Sequence, residues 1–189
     1  MAFHEDWFPI DNVEGLRRIM ASVAAADGSV VEVGCWEGRS TIEIAKAMGH
    51  VHAIDPWSPE WWYPSFQRML KERWDPAWGV PPWNPDPARD VLADFIENIE
   101  EAGVADRVVI HQSDWRSVDW ARFAPIRFLF IDGEHSYDDV FDNVEVARPL
   151  MAPDGVIAGD DFDWDEVARA VRAQFSDVSL DGRIWFIPA

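Results

Sequence analysis

The chain has 189 residues, 48% of them hydrophobic, and 35 acidic against 16 basic side chains give it a formal net charge of −19 at pH 7. That length suits a single domain around one core, and the whole-molecule field opposes binding to nucleic acid or to an anionic membrane surface. The one cysteine, Cys35, excludes an intramolecular disulfide and any multi-cysteine metal site.

The start of the chain, Met-Ala-Phe-His-Glu-Asp-Trp, is acidic and lacks an apolar h-region. No apolar run approaches the ~20 residues of a membrane span, so no membrane partner and a cytoplasmic location are expected. Phe3, Trp7, Phe8 and Ile10 are too apolar for a free tail and are expected to pack on the domain or to cover a site. Asp11 then caps a helix running to residue 25, with Val13, Leu16, Ile19, Met20 and Val23 at helical spacing.

Ser29–Val33 is a short β-branched run of the kind that fills a buried parallel strand. Residues 34–38 form a tight glycine loop, and from Arg39 the spacing of Ile42, Ile44, Ala45 and Met48 marks the packed face of a helix. Strand, loop and helix together place free backbone N–H groups at the carboxyl edge of a sheet, where small ligands bind in open α/β folds. A dinucleotide fingerprint needs G-x-G-x-x-G; only Gly34 and Gly38 are present, with bulky Trp36 between them, which argues against a pyrophosphate. Cys35 lies inside this loop without a neighbouring base and reads as a small filler of a crowded turn rather than a nucleophile.

Val51–Asp55 is the second strand, and Asp55 stands about 20 residues beyond the loop, where an acid accepts from the ribose hydroxyls of an adenosine ligand. A turn aspartate before Pro56 is the alternative. Residues 56–87 hold Trp57, Trp61, Trp62, Trp74, Trp78 and Trp83 among eight prolines, a composition unlike that of a flexible linker. A short helix over 65–74 would turn Phe66, Met69 and Leu70 inward and group Arg68, Lys71 and Arg73. This segment is expected to be an ordered lid that shapes an acceptor pocket, with a purely structural cover as the alternative.

A helix over 90–102 follows, with Val91, Leu92, Phe95, Ile96 and Ile99 on one side. The third strand, 107–112, leads into Ser113-Asp114-Trp115, and the fourth, 127–131, runs into Asp132-Gly133-Glu134-His135. After a helix to residue 148, Pro153-Asp154-Gly155 is expected to turn into a fifth strand, 156–159, which stops at Asp160 and Asp161. A helix over 167–175 and a hairpin about Asp181-Gly182 close the chain. Alternating strands and helices before a final hairpin indicate a mainly parallel α/β sheet with an antiparallel edge.

Asp132, Asp160 and Asp161 all fall where a strand meets its loop. If the fourth and fifth strands are neighbours, ~4.8 Å apart, their carboxylates come close enough to share one ion. Hard oxygen ligands favour Mg²⁺, Ca²⁺ or Mn²⁺ over a structural zinc; the alternative is a solvated acidic loop. His4, His50, His52 and His111 have no comparable partners in the sequence and read as structural or surface residues.

The E-x-G-x-x-x-G-x-S pattern of Glu32, Gly34, Gly38 and Ser40 resembles the first motif of class I S-adenosylmethionine-dependent methyltransferases. The run FLFIDGEHSYDDVFDNVEVARPLMAPDGVIAGDDF resembles the second half of metal-dependent O-methyltransferases related to the macrocin and other antibiotic-sugar enzymes, with catechol O-methyltransferase a more distant relative. The resemblance spans roughly 29–162, and residues 57–87 have no counterpart in it.

The resemblance implies a single-domain Rossmann-like fold over 1–189, with a mainly parallel seven-stranded sheet, an antiparallel terminal hairpin and an insertion at 56–87. It implies that Glu32, Gly34, Gly38, Ser40, Asp55, Ser113, Asp114, Trp115 and Asp132 hold S-adenosylmethionine. Asp114 would take the adenine amine and Trp115 would offer an apolar face. It further implies that Asp132, Asp160 and Asp161 bind a divalent cation, Mg²⁺ first among the candidates. His135 becomes the general base, with Glu134 as an alternative. The reaction is then methyl transfer to a hydroxyl of a small, sugar-like acceptor, and a homo-oligomer is compatible with all of this. The rivals are a metal-independent methyltransferase and a non-catalytic binder of an adenosine ligand. A nucleotide-dependent oxidoreductase is disfavoured by the glycine spacing.

Overall fold

In the computed structural model, residues 3–4, 7–23, 27–73, 86 and 88–188 are described. The strands are β1 (Ser29–Val33), β2 (Val51–Asp55), β3 (Val108–Gln112), β4 (Ile126–Ile131), β5 (Met151–Gly159), β6 (Ser179–Asp181) and β7 (Ile184–Pro188). They form one seven-stranded sheet in the order β3-β2-β1-β4-β5-β7-β6. The helices are α1 (Ile10–Ser22), α2 (Arg39–Met48), α3 (Pro59–Arg73), α4 (Val91–Glu101), α5 (Tyr137–Ala147) and α6 (Asp165–Gln174).

The central strands are apolar on both sides because both faces of the sheet are covered. Val30, Phe128 and Phe130 pack with Leu16 and Ile19 of α1, Ile42 and Ile44 of α2, and Phe95 of α4. Val31, Val33, Leu129 and Ile131 face the other way, onto Val140 and Val144 of α5, Val167 and Val171 of α6, and Trp185. Register then sets the site. Val33 pairs with both Ile54 and Ile131, Ile131 pairs with Gly159, and Asp55 pairs with Gln112. The residues that follow these pairs, Gly34, Ser113, Asp132 and Asp160, therefore share one carboxyl edge with Asp55.

Several expectations are corrected. Asp11 does not cap α1: Pro9 occupies the cap position with no side-chain hydrogen bond, and Asp11 lies in the first turn, where its charge suits the helix dipole. Residues 24–26, the expected end of that helix, lie outside the described residues. The helix expected over 65–74 belongs to the longer α3, which starts at Pro59 and contains Pro64. The inward side chains proposed there, Phe66, Met69 and Leu70, lie outside the described side chains, as do those of Lys71 and Arg73. Trp74, Trp78 and Trp83 lie outside the described residues.

Pro153-Asp154-Gly155 is not a turn before β5 but an irregular part of it, because the pairing with β4 jumps from Ile126–Met151 to Phe128–Val156. β7 lies antiparallel between β5 and β6, so the outer strand of the final hairpin is β6. Among the described residues no helix is long and apolar enough to cross a membrane.

Candidate active site

The loop after β1 is built by close backbone packing. Gly34 has φ +81, and a Cβ there would lie 2.2 Å from the Asp132 carbonyl oxygen, so only glycine lets the β1 and β4 loops touch. Gly38 (φ +87) precedes α2 with Phe95 against it. Glu32 and Ser40, expected as cofactor contacts, are instead turned to each other beneath the loop. Glu32 is fully buried and accepts from Ser40 Oγ and Thr41 Oγ1, both at 2.5 Å, which fixes the start of α2. Burial pushes the Glu32 pKa up to about 7, against the pull of these hydrogen bonds. Cys35 is buried and its thiol is likewise pushed up by burial, as suits a filler rather than a nucleophile.

Asp55 organises the same loop from β2. Its Oδ2 accepts from the backbone N–H of Cys35 (2.8 Å) and Trp36 (3.1 Å), and Oδ1 accepts from Trp57 N–H at 2.7 Å. Burial raises its pKa and these N–H groups pull it back. Ser113 N–H reaches the Asp55 carbonyl at 3.1 Å, joining the third strand end to the second. Asp114 caps the following turn through Arg116 N–H. Trp115, expected to offer an open face, is buried in the core, where its indole N–H donates to Asp139 at 3.2 Å. Arg116 covers it with the guanidinium carbon 4.4 Å from the ring centre.

At the other strand ends, the carboxylate oxygens of Asp132 and Asp161 and a ring nitrogen of His135 lie within 4.8 Å of one another. His135 Nε2 is 2.7 Å from Asp161 Oδ2, and its ring stacks on Trp164 at 4.6 Å. Asp160, expected to complete an all-carboxylate set, borders the same space but has one oxygen committed to other partners. Its Oδ2 accepts from Asn12 Nδ2 (2.7 Å) and Arg183 Nη2 (2.9 Å), and its Oδ1 is buried with no hydrogen-bond partner among the described residues. Asp161, the next residue, has a left-handed backbone (φ +59) and meets the same Arg183 through Nη1 at 3.3 Å.

A cavity of about 10 Å³, room for one water-sized group, is lined by Asp132, His135, Asp160 and Asp161. Two carboxylates and an imidazole around such a space fit a divalent cation, and the nitrogen donor shifts the preference from Mg²⁺ towards Mn²⁺ or Zn²⁺. Burial and the charges of Asp160 and Asp161 hold the Asp132 pKa well above the usual carboxylate range; burial first, then Asp161, raises Asp160 to about 6. For His135, burial favours the neutral ring, but the hydrogen bond and charge of Asp161 outweigh it and raise the pKa. Glu134 lies beside this group, accepts from His135 N–H at 3.1 Å and pairs with Arg68 of α3.

An aromatic cover lies over the β1 loop. Trp7 stacks on Trp36 with ring centres 4.6 Å apart, Trp62 meets Trp36 edge-on at 5.2 Å, and Trp57 Nε1 donates to the Trp36 carbonyl. The indole N–H groups of Trp36 and Trp62 are buried without a hydrogen-bond partner among the described residues. Among those residues the non-glycine positions with positive φ are Trp36, Trp57 and Asp161, each close behind a strand at this edge. Such backbone strain concentrates at functional sites. Sequence reasoning missed Asn12, Trp164 and Arg183. It also treated His52 and His111 as partnerless, whereas their ring nitrogens meet at 3.0 Å across β2 and β3.

A family model described as a methyltransferase domain matches residues 31–162. Solved structures share the fold at low identity. The O-methyltransferase NovP is 18% identical with a TM-score of 0.69, over 95% of this chain and 79% of that one. An RNA methyltransferase from Salinibacter ruber, in complex with S-adenosyl-L-homocysteine, is 16% identical with a TM-score of 0.58, over 95% and 91%. CalS11, a TDP-rhamnose 3'-O-methyltransferase of calicheamicin biosynthesis, is 17% identical with a TM-score of 0.59, over 96% and 81%. No curated protein matches the chain significantly.

Proposed function

This chain belongs to the methyltransferase-domain family, whose members use S-adenosylmethionine, and on that premise we propose that it methylates a hydroxyl of a small acceptor activated by Asp132, His135 and Asp161. The observation that carries the reading is the convergence of these side chains at the same edge as the glycine loop, with Gly34 packed directly on the Asp132 backbone. Methyl donor and acceptor oxygen then meet across two touching loops.

Gly34, Gly38, Asp55 and Asp114 line the donor side. Asp55 keeps one lone-pair direction on Oδ1 for a ribose hydroxyl beyond its bond to Trp57, while Glu32, Ser40, Ser113 and Trp115 support the loops from below. An aliphatic hydroxyl is a poor nucleophile at neutral pH, and a base that takes its proton as the methyl bond forms lowers the barrier. His135 is suited to that task because Asp161 orients the ring and stabilises its protonated form. A divalent cation, when held by Asp132, Asp161 and His135, would take over this activation as a Lewis acid that lowers the pKa of a bound hydroxyl, with His135 then a ligand and no longer the base. Half-buried Trp62 of α3, edge-on to Trp36 beside the loop, offers apolar surface that supports a sugar-like acceptor with a C–H face.

A second reading, metal-independent base catalysis by the His135–Asp161 pair, is favoured by Arg183, which already contributes a positive charge beside Asp160 and Asp161. Transfer of labelled methyl groups to a panel of sugars and phenols, with and without chelator, tests both. Asp55→Ala should weaken donor binding by ~1–3 kcal/mol, read by calorimetry, and unchanged affinity would remove Asp55 from the donor site.

A further inference from the structure

Arg183 stands on the tight turn between β6 and β7, next to Gly182 with φ +65. Its Nη2 donates to Asp160 Oδ2 at 2.9 Å and to the Trp7 carbonyl at 3.1 Å, and Nη1 lies 3.3 Å from Asp161 Oδ1. The turn is fastened on both sides. Arg18 of α1 grips Asp181 through two bonds of 2.7 and 2.8 Å, Gly15 lets α1 approach that aspartate, and Phe162 N–H donates to the Arg183 carbonyl at 2.9 Å. Asn12, one helical turn before Gly15 and Leu16 on α1, donates to the same Asp160 oxygen as Arg183. The guanidinium is therefore delivered to the acids by a positioned support rather than by a freely moving side chain.

We propose that Arg183 is a resident counter-cation of the acid cluster, which holds Asp160 permanently and sets a low affinity for any divalent ion at Asp132, His135 and Asp161. This rests on the cation reading given above. The two contacts differ in a way that assigns the roles. Asp160 is 3% exposed and shares its Oδ2 between Arg183 and Asn12, so it stays with them. Asp161 is engaged by Arg183 only at 3.3 Å and by His135 at 2.7 Å, so it is the acid that exchanges partners when an ion arrives. A fixed positive charge within a few ångströms of a divalent ion repels it. At ~5 Å and a water-like dielectric that repulsion corresponds to a loss of roughly 10-fold in affinity, and to more where water is excluded.

The test is a titration of the purified full chain with Mn²⁺ alone, followed by the electron paramagnetic resonance of the free ion. Wild type is compared with Arg183→Gln, Arg183→Met and Arg183→Lys, with folding checked by circular dichroism and melting temperature. Gln removes the charge and keeps an N–H donor, Met removes both, and Lys keeps the charge. Arg183 as counter-cation predicts weak binding by wild type and Lys, and at least ~10-fold tighter binding by whichever neutral variant folds. Equal or weaker binding by a folded neutral variant, with wild type still binding, overturns the role of Arg183 and leaves the cation site standing. No binding at millimolar Mn²⁺ by wild type or by any folded variant overturns the cation site and this role with it.

Discussion

Glu32 is the residue whose chemistry departs furthest from its place in a motif. It sits under the β1 glycine loop, fully buried, with a pKa of about 7 against an ordinary 4.5. An acid raised in the folded state contributes its full stability below the unfolded value and loses it as pH rises through the folded one. Stability should therefore fall between pH 4.5 and 7 by an amount on the order of 3 kcal/mol from this group. Glu32→Gln keeps an acceptor for Ser40 or Thr41 without the ionisation, so its stability relative to wild type should climb over the same window. Urea unfolding of both proteins from pH 5 to 8 checks this, and parallel pH profiles would show that Glu32 ionises at no cost. Gly34 gives a conformational counterpart. With φ +81 and the Asp132 carbonyl 2.2 Å from the place of a Cβ, Gly34→Ala should cost about 2–5 kcal/mol and separate the two loops, visible as a lowered melting temperature.

Among the elements, the strand ends were legible in sequence because buried parallel strands are short apolar runs that stop at a polar residue. Val33-Gly34, Asp55, Ile131-Asp132 and Gly159-Asp160 all fall at the expected edge. What side chains do beyond that edge was not legible. Asp160 is held by Asn12, 148 positions away, and by Arg183, and no local pattern encodes such a pairing. Trp115 carries the same aromatic character whether it faces a ligand or the core, and Asp139 settles the matter only in three dimensions. The bulged Pro153-Asp154-Gly155 has the composition of a turn but is an irregular stretch of β5, since β4 pairs on either side of it.

Helix α3 reaches the site through Arg68, which pairs with Glu134, and through Trp62, which packs on Trp36. If α3 shapes the acceptor pocket, Trp62→Ala should raise the acceptor KM several-fold more than that of S-adenosylmethionine. Equal losses for both substrates, with a lower melting temperature, would reduce α3 to a structural cover.

For the whole molecule, a net charge of −19 frames the acid cluster. The field attracts cations generally, and Arg183 beside Asp160 and Asp161 opposes that attraction locally. The fold brings the β1 glycine loop and the acid-histidine group to one edge, and in the proposed function they act on one reaction. The most direct measurement is the rate of labelled methyl transfer from S-adenosylmethionine to a hydroxyl acceptor by wild type and His135→Ala, with donor affinity measured on the same samples. The predicted result is a rate loss of ~10²–10⁴ in His135→Ala at nearly unchanged donor affinity. Methyl transfer by His135→Ala at the wild-type rate would contradict it.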